Sequence, residues 1–556
     1  MKRRTFIIGL DGGTFDILEP WVREGKLPGF AEIMDNGVYG ELESVMPPVT
    51  APAWASFMTG MNPGKHGVYE FLYREKSGYE KVPVNSHTIE SPFLWELLGR
   101  HNIKVGVVNV PLTYPVRPVN GFLVSGLLTP RDASDYTYPE ELYKQINDYL
   151  GEPYEIYTSE VYAKGRVDRV VQNYNDVLSK HIKVGNFLLS RYEPEFYMIH
   201  IFGTDRIQHE LWHCMDRDHP KHDSEEGTLF GDAILDYYKT IDRDFVSPLI
   251  KKYGKDTNIL FISDHGFGPL HKTIYLNTWL LKKGYIKLKK GARSFLKKCM
   301  FESGFTPAAV YKLMSALGLA GVKSSMNRGA RDRLLGTLFL SFRDVDWDNT
   351  VAYAMGNKVG MIYINLKGRE PSGAVNPGSD YDRVCEKLKG ELMNDLETDE
   401  GTKIFDRVLS KEEVYAGSYI DRAPDLVLLN NRHEYQVMGT SDFMSKKPVE
   451  NALGQSGDHR MNGLFMGMGP DFRKGERISG ARIIDVAPSV LYLMGCPIPN
   501  NMDGKVLAGC FNDEFTGKNQ PRYEDVKDDA TGKKDNLSDE DNQSIVDRLR
   551  QLGYIG

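Results

Sequence analysis

Thr5-Phe-Ile-Ile-Gly-Leu10-Asp11-Gly12-Gly13-Thr14 is the stretch on which the fold turns. The basic residues ahead of it, Lys2-Arg3-Arg4, give the N-terminus a passing likeness to a signal peptide, but the apolar run is too short for one. It reads instead as a first buried strand that ends on a carboxylate and two glycines. In open α/β sheets that is where sites are built. Alone, Asp11 reads equally well as the cap of a following helix. Two later runs repeat the pattern. Glu195–Phe202 leads straight into Gly203-Thr-Asp205, and Lys255–Ser263 ends in Asp264-His265-Gly266. Further strand-like runs at Lys104–Val110 and Gly121–Leu127 alternate with helical patterns such as Ser91–Gly99. Strands alternating with helices predict an α/β fold, a largely parallel central sheet with helices on both faces. Three strands finishing on or near an Asp, two of them followed by His, point to one edge of that sheet.

At 556 residues the chain exceeds what one hydrophobic core usually serves, so insertions or a second domain are expected. Hydrophobic residues make up 41% and charged residues 26%, the balance of a soluble globular protein. A net charge of −7 without a basic stripe argues against nucleic acid as the main partner. An acidic protein that handles phosphates needs local positive charge, from metal ions or helix N-termini. No stretch is long and apolar enough to span a bilayer. The cysteines Cys214, Cys299, Cys385, Cys496 and Cys510 are scattered, odd in number and form no CxxC pair, as expected of reduced thiols in a cytoplasmic protein.

Between the first strands lies Met46-Pro-Pro-Val-Thr50-Ala-Pro52-Ala-Trp-Ala-Ser56, where Pro52 suits the first turn of a helix and Thr50 sits at or near its N-cap. There a hydroxyl faces unpaired amides, and a phosphate could land beside it. Thr50 is therefore either a plain cap or a nucleophile. Asp205 and His209 are four apart, a spacing that puts both on one helical face within reach of one metal, and His213 continues that face. Asp264-His265 is an adjacent ligand pair at a strand end. His459 follows the turn Gln455-Ser-Gly457-Asp458 and runs directly into a strand. The expected layout is a catalytic core over residues 1–284 and 441–512, a helical insertion over 285–345, an α+β cap-like insertion over 346–440 and a polar tail over 513–556 with a short terminal helix. Lys and Arg at helical spacing in Ala308–Leu319 and Arg331–Leu340 suggest a basic solvated face or a lid, more than a membrane-surface helix.

Taken in order, these pieces resemble the alkaline phosphatase superfamily, in particular its type I phosphodiesterase/nucleotide pyrophosphatase branch. They are closer still to the predicted bacterial and archaeal phosphohydrolase/phosphomutase group. The similarity covers about residues 4–281 and 451–507, with the stretch Tyr363-Ile-Asn-Leu-Lys-Gly-Arg-Glu-Pro371. The resemblance implies two divalent metal ions. One would be held by Asp11, Thr50, Asp264 and His265, the other by Asp205, His209 and His459. His213 is displaced from the ligand set by that match and not by its own spacing. Mixed Asp/His donors without thiolates suit zinc, with manganese as the alternative.

Two metals at these positions make Thr50 a nucleophile toward phosphorus at neutral pH, through a phosphothreonine that is then hydrolysed. The leading expectation is a phosphoric ester hydrolase of phosphodiesterase or nucleotide pyrophosphatase type, acting on a small-molecule ester. A phosphomonoesterase or phosphomutase on the same metals is the second reading, and a non-catalytic metal-binding scaffold the third. Sulfatase chemistry is disfavoured, because Thr50-Ala-Pro52-Ala-Trp54 lacks the Cys/Ser-x-Pro-x-Arg signature. The chain departs from the nucleotide pyrophosphatases at Phe71, where they place an oxyanion-stabilising Asn; Lys272 and Lys358 are the candidate substitutes.

Overall fold

The structure, a computed structural model, describes residues 3–74, 78–79, 81–316, 337–398, 401–430, 434–439, 443–526 and 537–554. Its centre is a mixed sheet of mostly parallel strands. From one edge to the other these are Glu476–Arg477, Val38–Glu43, Asn462–Met468, Thr257–Ile262, Arg4–Leu10, Phe196–Ile201, Val105–Val110, Gly121–Ser125 and Thr137–Tyr138, with Ala481–Arg482 beside Val38–Glu43. Arg4–Leu10 lies in the middle, parallel to Phe196–Ile201 and to Thr257–Ile262. Asn462–Met468 runs antiparallel against Thr257–Ile262 and Val38–Glu43.

The central strands read as continuous apolar runs because both faces are covered. Ile7, Val107, Met198, Leu260 and Ile262 face one core, which also holds the helices Thr50–Thr59, Leu94–Arg100 and Val486–Leu493. Their neighbours Phe6, Ile8, Val108, Tyr197, Ile199, Ile259 and Phe261 face the other, against helices that include Val167–Tyr192, Gly203–Met215 and Ala233–Ile241. This alternation is the period of two that a strand imposes.

A third hydrophobic core lies between residues 274 and 443. It is built on an antiparallel sheet of Ala352–Met355, Gly360–Ile364, Leu426–Asn430 and Phe405–Ser410, with the helix Ser379–Asp395. A smaller sheet joins Asn357–Lys358, Tyr435–Met438, Lys272–Tyr275 and Val449–Asn451. This core starts at Ile274, ahead of residue 284. The basic segment contributes the helices Ala292–Ser303 and Pro307–Ala316; of the expected Arg331–Leu340 helix, residues 331–336 lie outside those described. Among the described residues no helix is long and apolar enough to cross a membrane.

At the C-terminus the described residues after Asn512, expected as a polar tail with a short terminal helix, pack against the body of the chain. Helix Asp513–Lys518 buries Phe515, and Tyr523–Glu524 pairs in parallel with Ile498–Pro499. Helix Asp539–Gln551 places Ile545 and Leu549 in the main core. Widely spaced apolar residues among many charges are enough to dock a helix when they share one face.

Gly9 marks how tightly the middle strand is packed below the site. A Cβ there would meet Trp54 Cη2 at 2.7 Å and His200 Cδ2 at 3.2 Å, both on fully buried rings. Gly9→Ala is expected to cost about 1–3 kcal/mol, measured by urea unfolding. Acid should also weaken the fold. Burial pushes His66 down to about 3 and His181 to about 4. Unfolding returns each to its ordinary value near 6.5, so below that pH the unfolded chain binds protons that the folded one refuses. Stability is therefore fully present above pH 6.5 and falls with pH, by about 1.4 kcal/mol per unit for each such histidine. His181→Gln should flatten the pH dependence of the urea midpoint between pH 6.5 and 4.5; an unchanged slope would exclude His181 as a source.

Candidate active site

Strand register brings the predicted residues together. Leu10 pairs with Ile201 and Gly9 with Ile262, so the chain leaves all three strands at one level. Asp11 follows the first, Asp205 lies in the first turn of Gly203–Met215 after the second, and Asp264-His265 follows the third. His459 arrives separately. Gly266–Pro269 pairs antiparallel with Gly457–Arg460, setting His459 opposite Phe267. That pairing needs glycine at 266, since a Cβ there would lie 2.0 Å from the Asn462 carbonyl oxygen. Thr50 is the first residue inside its helix; the cap position belongs to Val49, and no side chain caps it. Every residue of this helix is buried, so the hydroxyl sits on a rigid support.

The donor atoms form two adjoining groups, Asp205/His209/His459 and Asp11/Asp264/His265, each with its ligand atoms within 4.8 Å of one another. Asp205 Oδ1 is 3.2 Å from both His209 Nε2 and His459 Nε2. His265 Nε2 is 3.2 Å from Asp264 Oδ2, 3.6 Å from Asp11 Oδ1 and 3.4 Å from Thr50 Oγ1. The rings of His265 and His459 stack at 3.5 Å where the groups meet. All seven residues are buried.

Each ligand is held from behind. His209, His459 and His265 donate through Nδ1 to the carbonyls of Gly457, Pro48 and Gly266, at 2.7, 3.0 and 3.0 Å. A carbonyl only accepts, so Nδ1 carries the proton and Nε2 presents a lone pair to the group. The carboxylates follow the same plan. Asp264 Oδ1 accepts from the Gly12 amide at 3.2 Å, Asp205 Oδ2 from the Tyr554 hydroxyl at 2.5 Å, and Asp11 Oδ2 faces His200 Nε2 at 2.9 Å. Their other oxygens, Asp11 Oδ1, Asp205 Oδ1 and Asp264 Oδ2, are buried without a hydrogen-bond partner.

These orphaned oxygens test the fit to metal ions. Buried acceptors are rarely left unsatisfied. Here three carboxylate oxygens converge with imidazole lone pairs, and the His209 and His459 Nε2 atoms face each other at 3.0 Å. Two such lone pairs repel unless a cation or an extra proton lies between them. Burial and the neighbouring Asp205 hold Asp11 well above the usual carboxylate range, and burial with Asp11 does the same to Asp264. Burial pushes His209 down to about 4 and His265 well below its ordinary value. The arrangement is short of positive charge, which divalent cations supply, and the residues fit them.

Two participants escaped sequence reading. His200 sits mid-strand and donates through Nδ1 to Asn109 at 3.1 Å while facing Asp11. A lone imidazole inside a buried strand was its signal. Tyr554 comes from the far end of the chain and had none. His213 stands apart in a separate buried group with Cys214 and Glu226, its Nδ1 on Ser456 Oγ at 2.9 Å. Phe71 is buried with its ring 4.8 Å from that of Tyr554. Lys358 is near enough to act on His209, but its ammonium is 2.6 Å from Asp458 and 3.3 Å from Gln455. Lys272 belongs to the smaller sheet.

Residues 5–452 match the family described as type I phosphodiesterase / nucleotide pyrophosphatase. Among solved structures the chain is similar to human ectonucleotide pyrophosphatase / phosphodiesterase 5, at 15% identity with a TM-score of 0.51, over 92% of this chain and 100% of the other. It is also similar to the murine protein of the same name in an inactive threonine-to-alanine form in complex with AMP, at 14% identity and a TM-score of 0.51 over the same shares. At this identity the likeness is one of fold. No curated protein matches the sequence. The family match spans most of the chain, with a donor set suited to the divalent metals this family depends on: the chain belongs to the type I phosphodiesterase / nucleotide pyrophosphatase family and is a phosphoric ester hydrolase.

Proposed function

We propose that the chain is a two-metal phosphodiesterase that works through a phosphothreonine on Thr50. The observation that carries this reading is the position of the Thr50 hydroxyl, at the start of a buried helix and 3.4 Å from His265 Nε2, at the edge of a donor set with three unpartnered carboxylate oxygens. Asp11, Asp264, His265 and Thr50 would hold one ion and Asp205, His209 and His459 the other, zinc or manganese. Such ions, when bound, neutralise phosphoryl oxygens and lower the pKa of a coordinated hydroxyl.

The chain's own groups do the rest. Thr50 Oγ1 bonds to phosphorus and gives up its proton to solvent, while the bond from phosphorus to the leaving ester oxygen breaks. That oxygen takes a proton from solvent and departs as the alcohol. Water then attacks the phosphothreonine from the opposite side; one of its protons returns to Thr50 Oγ1, the other passes to solvent, and the phosphate monoester is released. The first turn of helix Thr50–Thr59 favours a bound phosphate through its dipole. Burial of the whole donor set strengthens each of these charge interactions. The inactive threonine-to-alanine form of the murine structural neighbour, which holds AMP, supports a threonine in this role and a nucleotide-like ester as substrate.

A diester is favoured over a monoester by the state of the nearby cations. A monoester brings one more negative oxygen. Lys358 is committed to Asp458, and Arg206 to Glu210 and the Leu552 carbonyl.

Thr50→Ala should lower diester turnover at least a thousandfold while both metals stay bound, read by steady-state kinetics beside metal analysis. Full activity in this variant would sink the mechanism. An aryl diester should be turned over faster than the matching aryl monoester; the reverse order would favour a phosphomonoesterase. Zinc or manganese added to chelated protein should raise its melting temperature, because an ion that binds only the folded chain stabilises it. His209→Ala and His265→Ala should each remove one equivalent of metal, counted by elemental analysis.

A further inference from the structure

The C-terminal segment reaches the centre of the molecule. Helix Asp539–Gln551 is capped by Ser538, whose Oγ accepts from the Asp541 amide at 3.0 Å. It docks through Ile545 and Leu549, and the turn after it buries Leu552 and Tyr554; all four are at most 1% exposed. Three distant parts of the chain then fix this turn. Arg206 Nη1 donates to the Leu552 carbonyl at 2.7 Å, Gln455 Nε2 to the same oxygen at 3.2 Å, and Asn357 Nδ2 to the Tyr554 carbonyl at 2.8 Å. The Tyr554 ring lies 4.8 Å from Phe71 and stands edge-on to His209 at 6.1 Å. So placed, its hydroxyl meets one oxygen of Asp205, and the other oxygen is left facing His209 and His459.

We infer that Tyr554 is a positioning residue of the metal centre, holding Asp205 by Oδ2 so that Oδ1 is presented to the ion shared with His209 and His459. The inference rests on the two-metal reading above. A carboxylate on a helix can turn about its side-chain bonds, and a donor on its outer oxygen restrains that rotation. The Gly12 amide stands in the matching place beside Asp264. Tyr554 thereby gives the second group the support that the first obtains from the backbone. Loss of such an outer partner ordinarily weakens metal binding 10–100-fold.

The test uses the full chain, its Tyr554→Phe variant and a chain ending at Leu552, which keeps Ile545, Leu549 and Leu552 as anchors. Zinc affinity is measured by competition with a chromophoric chelator, and cobalt(II) substitution reports each site by its visible spectrum. Tyr554→Phe keeps the ring and its packing. It should weaken one of the two ions about 10–100-fold, change the cobalt spectrum of that site alone and restore diester turnover at excess metal, with an unchanged circular dichroism spectrum. The shortened chain should show the same selective loss. Affinities within twofold of wild type for both ions in Tyr554→Phe would overturn the inference. So would a gain in activity on shortening, which would make the segment a plug. A wild-type chain that takes up no metal would instead overturn the two-metal reading on which the inference stands, so the two failures are told apart.

Discussion

The in-register parallel pairing of three strands is the constraint on which the rest depends. Because Leu10 lies beside Ile201 and Gly9 beside Ile262, Asp11, Asp205 and Asp264 leave the sheet at one level without any side chain having to specify it. A slip of one residue would turn every side chain of a strand to the opposite face and exchange the two hydrophobic cores. The packing that fixes the register therefore fixes the site. Gly9, wedged under Trp54 and His200, is one place where that packing leaves no latitude.

The same convergence sets up an electrostatic problem. Three carboxylates and three imidazoles meet where water has been excluded, and burying charge is costly unless it is paired. The fold satisfies the outer half of each imidazole and of Asp205 and Asp264 with backbone or side-chain partners and leaves the inner half bare. Carbonyls of Gly457, Pro48 and Gly266 fix the imidazole tautomers, and the Gly12 amide and Tyr554 hydroxyl hold the outer oxygens of Asp264 and Asp205. A set of inward-facing acceptors this complete favours cations inside it. Its geometry is an argument for metal that needs no appeal to family.

Much of this was legible in the sequence, for definite reasons. Fully buried strands declare themselves as apolar runs, and the carboxylates Asp11 and Asp264 follow just beyond the ends of two of them. Spacing of four put Asp205 and His209 on one helical face. Thr50 lies next to the cap, as its position before Pro52 predicts, with the extended backbone of Val49 in the cap position itself. The short terminal helix is legible around Ile545, whereas the residues ahead of it read as polar because Phe515 is diluted among charges, although it is buried. What local pattern could not supply was tertiary register. Tyr554 had no local signal, since its importance comes only from where a distant turn of chain comes to rest.

Helix Gly203–Met215 is where these separate requirements meet. Asp205 and His209 face the donor set, while Arg206, between them in sequence, is fully buried against Glu210 and the Leu552 carbonyl. One turn of helix thus serves the metal group and the C-terminal segment together, with Asp205 common to both through its two oxygens. Coupling of this kind is reciprocal: whatever free energy the docked terminus adds to ion binding at Asp205, a bound ion returns to the docking of the terminus. In the proposed arrangement the turn around Tyr554 joins the metal group through Asp205 and through its edge contact with His209.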